Sequence, residues 1–206
     1  MKKSCLILMV FACALYGADP TVRAGTVEIT GFGGVNANFT GVSGQLSTQI
    51  LGATPTGGAS QQSSPALGGG FGIAESRHVM LVAEFQYSSL APALFADGAL
   101  SMQEKTRMYE LMAGAQYLFR LENSRAVPFI GGGMGVAYFP TKLTLTADGV
   151  PSSVNESLTK AAGNLDAGVR LHIAGSFGIR PEFRVMRIPG KTYIRAEAGV
   201  FYQFRK

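Results

Sequence analysis

Tryptophan is absent, which leaves the aromatic content to 13 Phe and 7 Tyr. Charged residues are scarce, 15% of the chain against 47% apolar ones. Yet no uninterrupted apolar run approaches the roughly 18 residues of a membrane-spanning helix. Such a balance is too apolar for a disordered chain and too evenly spread for helical membrane segments. The net charge of +5 is mild and distributed along the chain. No basic run is present, which argues against a nucleic-acid partner. Cysteine occurs twice, as Cys5 and Cys13, too near one end to staple a fold.

Both cysteines lie in a segment with the three-part shape of a secretory signal peptide. Lys2 and Lys3 precede an apolar run, Leu6 to Val10 and on to Leu15, and small residues follow. Ala14, Ala18 and Ala24 would each suit cleavage, with Ala18 favoured. Residues 1–18 are therefore read as signal peptide, 19–25 as a short periplasmic lead and 26–206 as one domain. The exported chain would carry no cysteine, which suits an oxidising compartment. Bulky Phe11 argues against a lipidation box at Cys13.

Past Gly25, apolar and polar residues alternate with the period of two that marks half-exposed strands. Val27, Ile29, Val35, Ala37 and Phe39 oppose Glu28, Thr30, Asn36 and Asn38. The pattern returns in a glycine-rich strand over 65–74, then over 79–87, 109–119, 130–138, 165–173, 177–185 and 194–204. In the last, Ile194, Ala196, Ala198, Val200, Tyr202 and Phe204 share a face opposite Arg195, Glu197 and Gln203. Pro181 cannot donate to a ladder, so a bulge or local distortion is expected there.

Eight strands are the smallest number found in transmembrane barrels. Polar stretches at 40–64, 88–105 and 141–159 read as long loops. They alternate with short turns at 75–78, 121–125 and 174–176. Sorting of loops by parity is what a membrane barrel needs and a soluble sandwich does not. The outward phases also place Phe39, Tyr87, Tyr109 and Tyr138 near one rim, and Tyr117, Phe119, Tyr202 and Phe204 near the other. Two interfacial girdles are what amphipathic rings favour. The expected fold is an all-β, eight-stranded antiparallel up-and-down transmembrane barrel.

The terminal run Glu197-Ala198-Gly199-Val200-Phe201-Tyr202-Gln203-Phe204 resembles the signal by which Gram-negative cells recognise outer-membrane barrels for insertion. Arg205 and Lys206 depart from it by following the last aromatic. Phe129–Tyr138, Asp166–Arg170, Phe177–Arg184 and the terminal strand resemble the outer-membrane β-barrel family related to the transmembrane domain of outer membrane protein A. The resemblance implies an outer-membrane location with both termini in the periplasm. It also implies contact with the barrel-assembly machinery through Glu197, Gly199, Tyr202 and Phe204, and surroundings of outer-membrane lipid and lipopolysaccharide. No peptidoglycan-binding domain follows Lys206, so the tethering role of larger relatives is not expected.

The inward phases carry Glu28, Glu84, Glu110, Asp166, Glu182 and Glu197, with Arg170, Arg180, Arg184 and Arg195. An eight-stranded barrel has room inside for side chains rather than a wide pore. These charges are expected to pair, since an isolated buried charge is very costly. Glycines at 68, 70, 72, 131 and 133 are expected to make room for the arginines. Gly131–Gly135 lacks the following helix that a phosphate-binding loop requires. His172 and Ser176 invite an esterase reading but sit in poor context for a shared site. The expectation is a monomeric, non-enzymatic barrel without cofactor or metal, with a polar plug and long outer loops serving envelope integrity, adhesion or surface interaction. The alternatives are a narrow or gated channel and, third, a lipid-modifying enzyme.

Overall fold

The computed structural model describes residues 22–38, 64–90, 93–97, 100–120, 125–147 and 150–204. Phe39 and the 1–18 segment lie outside this range. The strands are β1 (Val27–Asn38), β2 (Ser64–Ala74), β3 (Val79–Ser89), β4 (Ala93–Asp97), β5 (Leu100–Leu118), β6 (Ala126–Ala147), β7 (Val150–Ala174), β8 (Phe177–Ile188) and β9 (Lys191–Phe204). Every pairing is antiparallel, and β1 bonds to both β2 and β9 while β3 bonds to β5. Eight strands thus close into a ring, and short β4 pairs only with the far part of β5. Closure leaves no edge at the level of the ring, the condition under which strands can enter lipid.

The barrel is inside-out. Ile29, Leu67, Phe85, Leu111, Ile130, Met134, Leu165, Phe183 and Val200 stand exposed on its outer face, Met134 at 76%. The buried positions include Glu28, Glu84, Gln86, Glu110, Gln116, Arg170, Arg184 and Arg195. Period-two alternation assigns each side chain to one of these environments, so a slip of one residue would put the arginines into lipid.

Two of the stretches expected as loops are strands. Residues 141–147 continue β6 and 150–159 continue β7, in one unbroken register from Ala126↔Leu171 to Ala147↔Val150. Likewise 88–105 contains the end of β3, all of β4 and the start of β5. At 22 residues β6 is about twice the length needed to cross a bilayer. The alternation persists beyond the ring but its sense inverts. Lys142, Thr144, Thr146, Ser153, Asn155, Ser157 and Thr159 occupy the outward phase, and Leu143, Leu145, Val150, Val154 and Leu158 the inward one. A polar outward phase reads as loop only while the outside is assumed to be lipid. Most of the expected 40–64 loop lies outside the described residues.

Prolines sit where a ladder can spare a donor. Pro181 keeps its register with β9 opposite Ala198. Toward β7 the register skips from Gly168↔Glu182 to Leu171↔Ile179 and resumes unshifted, so of the expected bulge or local distortion it is a local interruption of the ladder that occurs. Pro140 does the same toward β5, between Thr106↔Thr141 and Tyr109↔Tyr138. The shift that does occur lies at His172/Ala174. Gly175 (φ 52°) and Gly190 (φ 85°) turn the β7–β8 and β8–β9 hairpins in the left-handed region that glycine favours.

Candidate functional site

The interior is built as three polar levels between two apolar caps. At the end bearing the short turns, Val22, Ala74, Met80, Leu118, Val127 and Phe129 form an apolar cluster. Val22 is fully buried, and its carbonyl accepts from Arg120 Nη2 at 2.5 Å, so this part of the lead packs into the end of the barrel. At the opposite end Met108, Met112, Ala137, Phe139, Ala162, Met186, Ile188 and Tyr193 form a second cluster. Between these two caps lies the polar lumen.

Next to the first cap, Arg170 donates from Nε to Glu28 Oε2 at 3.2 Å and from Nη2 to Gln116 Oε1 at 2.5 Å. Gln203 Nε2 adds a bond to Glu28 Oε2 at 2.9 Å. The Arg170 guanidinium stands 4.5 Å from the centre of the Phe129 ring, a cation–π contact that gives it an apolar floor. Gln116 uses its other end to donate to Asp166 Oδ2 at 2.7 Å. One amide therefore couples an ion pair to a carboxylate that no arginine reaches.

The middle level holds Arg180, Arg184, Glu84, Glu182 and Glu197. Arg180 Nη2 lies 2.7 Å from Glu84 Oε1, and its Nε 3.1 Å from Glu182 Oε2. Arg184 bonds Glu84 and Glu182, the latter at 2.6 Å, and lies 3.5 Å from Glu197. Phe32 is buried in the same level, its ring 5.6 Å from Arg180 and 6.0 Å from Arg184. Above it, Arg195 bonds Glu110 Oε1 at 2.5 Å and also donates to Asn36 and Gln86. Gln86 in turn donates to Glu197 Oε2 at 2.8 Å, which joins the upper and middle levels into one network.

Each charged residue expected inside is thus buried and in polar contact: Glu28, Glu84, Glu110, Asp166, Arg170, Arg180, Glu182, Arg184, Arg195 and Glu197. What sequence reasoning missed are the neutral connectors Gln86, Gln116, Gln203, Asn36 and Ser88. The inward phase of the four amides is legible in the sequence, but no charge marks them, and Ser88 falls in a stretch read as loop. It also misjudged the glycines. A Cβ on Gly68 would meet Phe32 at 2.4 Å, and one on Gly131 would meet Gln116 and Asp166 at 2.6 and 2.8 Å. The room is taken by Phe32, Glu84, Met80, Gln116, Asp166 and Asn164, not by arginines.

His172 is buried beside Phe201, its ring nitrogens 3.3 Å from the Arg125 carbonyl and from Gln203 Oε1. Among the described residues no group of His, Cys, Asp or Glu is placed to hold a metal ion. Glu197 and Gly199 face the lumen, whereas Tyr202 and Phe204 stand outside, their rings in edge contact at 4.9 Å. Tyr117 and Phe119 project outward near the same rim. At the other rim Tyr109 lies between Tyr87 and Tyr138, at 5.2 and 6.3 Å.

Arg184→Ala should lower the urea unfolding midpoint sharply, since it strips Glu84, Glu182 and Glu197 of one cation. Breaking a buried pair costs about 3–5 kcal/mol, against about 5–15 kcal/mol for a whole domain. Val200→Ala, on the lipid face, should move the midpoint little. Equal midpoints for Arg184→Ala and wild type would show that the network contributes no stability.

No protein-family model matches the chain, and no curated protein matches it. Solved structures do. The attachment invasion locus protein Ail of Yersinia pestis aligns with TM-score 0.53 at 13% identity, over 88% of this chain and 100% of that one. Its complex with the heparin analogue sucrose octasulfate aligns with TM-score 0.55 at 12% identity, over the same shares. Neisserial surface protein A aligns with TM-score 0.54 at 13% identity, over 88% and 98%. With the closed ring, the apolar exterior and the filled lumen, these likenesses show that the chain has the fold of the small eight-stranded outer-membrane β-barrels.

Proposed function

We propose that the chain is a non-enzymatic, non-conducting barrel of the outer membrane that serves the cell surface through the sheet it projects. The observation that carries this reading is the filled lumen. Two apolar clusters flank an ion-pair network whose charged members are all buried, which supports a plug rather than a conduit and leaves the outside for contact. On this reading both termini face the periplasm, the β4–β7 extension stands outside the cell, and lipid and lipopolysaccharide surround the belt. Ail, of the same fold, is an attachment protein solved with a heparin analogue, and adhesion is a role this architecture accommodates. The placement of His172 against a carbonyl and an amide speaks against a nucleophile–base pair with Ser176. The protein acts as a monomer, since closure of the ring needs no second copy.

In planar bilayers the purified wild-type barrel should show almost no conductance. Steady unit conductance that scales with salt and changes selectivity in Arg180→Ala or Glu182→Ala would replace this reading with that of a narrow channel.

The terminal strand should act in assembly, with Tyr202 and Phe204 displayed on the outer face where partner machinery can read them. In cells, a tag inserted between 147 and 150 should be labelled by antibody without permeabilisation. The Tyr202→Ala/Phe204→Ala variant should show less of that label and more unassembled periplasmic chain. Labelling only after permeabilisation would reverse the topology, and unchanged assembly would remove the role of the two rings.

A further inference from the structure

The inverted sheet carries a second feature, on its outward face just beyond the tyrosine row. Tyr87, Tyr109 and Tyr138 are consecutive partners across β3, β5 and β6. One outward position further along lie Ser89, Arg107, Pro140 and Ser157, and one further still Lys105, Lys142 and Asn155. Gln103, Thr144 and Ser153 follow. Lys105 and Lys142 are direct cross-strand partners, both exposed, and exposed Arg107 is two residues away on β5. Like charges placed directly opposite destabilise a sheet unless something neutralises them.

No described residue on this face does so. Among the described residues of β3, β5, β6 and β7, the outward face beyond the tyrosines carries no carboxylate. The acids that β5 and β7 carry beyond the tyrosines, Glu104 and Glu156, belong to the opposite phase, and Thr106 Oγ1 donates to Glu104 there at 3.0 Å. Around the three cations stand hydroxyl and amide side chains and one proline. Aromatic rings seat at the headgroup level of a membrane, and each outward step along a strand is roughly 7 Å. The cations therefore lie one to two steps beyond the rings, on the side away from the apolar band, where the phosphates and sugars of an outer-leaflet glycolipid would extend.

We propose that Arg107, Lys105 and Lys142 form a binding site for a phosphorylated glycolipid of the outer leaflet. The guanidinium and the two ammonium groups take its phosphate, and Ser157, Asn155, Gln103, Thr144 and Ser153 take its sugar hydroxyls. Arg107 supplies a planar donor fork and the lysines supply point charges, a combination suited to clustered phosphate oxygens. Bound phosphate would relieve the repulsion between Lys105 and Lys142. The acyl chains would lie below, against Leu111, Val136 and Leu165 on the exposed outer face. The proposal rests on the outward orientation of the extension argued above.

The test uses the full folded barrel in zwitterionic micelles, with fluorescent lipopolysaccharide followed by anisotropy. Wild type should bind. Lys105→Gln/Arg107→Gln/Lys142→Gln should bind at least about tenfold more weakly, and lipopolysaccharide stripped of phosphate should show the same loss on wild type. Arg77→Gln, an exposed cation in the turn at the opposite end, should bind as wild type does. Folding of the triple variant is checked by its urea midpoint, which should hold or rise as the repulsion between Lys105 and Lys142 is removed. Equal binding by wild type and triple variant, or indifference to phosphate removal, would overturn the site. Full competition by soluble inositol hexakisphosphate would overturn the lipid as its ligand. Binding in micelles does not depend on topology, so this result and the antibody labelling of cells fail separately.

Discussion

Closure of the hydrogen-bond ladder is the constraint on which the rest of this structure depends. In hydrocarbon an unsatisfied backbone N–H or C=O costs several kcal/mol, so strands can enter a bilayer only as a ring. With eight strands the ring encloses a space that side chains can fill and that no wide pore can occupy. Half of every strand must therefore point into a narrow interior. The prolines show the same constraint locally. Pro140 and Pro181 each interrupt one ladder while the pairing on their other side continues in register.

A narrow interior could have been filled with apolar side chains. Here it is filled with six carboxyls and four guanidiniums between two apolar caps. Desolvation of such groups is offset only when each finds partners of good geometry. By sharing, the arrangement gives each of these side chains at least one polar partner. Glu84 serves Arg180 and Arg184, Gln86 links Arg195 to Glu197, and Gln116 links Arg170 to Asp166. The glycines of β2 and β6 give this network its space, since a Cβ at Gly131 or Gly68 would collide with Gln116 or Phe32. The excess of acids inside is held by neutral amides rather than by further cations.

Much of the fold was legible because one rule, period-two alternation between lipid and lumen, governs most of the chain. Strand positions, the inward charges and the outward Tyr109 and Tyr138 all follow from it. The rule misled where the environment changed. Beyond Tyr138 the outside is no longer hydrocarbon, so Lys142, Thr144 and Thr146 occupy outward strand positions that looked like loop. Phe32 was overlooked because an aromatic ring among glycines fits neither polar interior nor apolar exterior, and only the two arginines beside it explain its place. Gln116 and Gln86 went unnamed because connectors become visible only when both of their neighbours are located in space. The cations Lys105 and Arg107 lie on a different strand from Lys142, far from it in sequence, and the register alone makes them neighbours.

The central claim is that the lumen is held by mutual pairing of its charges, and a double-mutant cycle at Glu28 and Arg170 tests it most directly. Urea unfolding of wild type, Glu28→Gln, Arg170→Gln and the double variant gives the interaction energy. The account predicts that each single change is costly and that the double variant is far less destabilised than their sum, with a coupling of about 1–3 kcal/mol. Strictly additive losses would contradict it, and would mean that these residues fill space without holding one another.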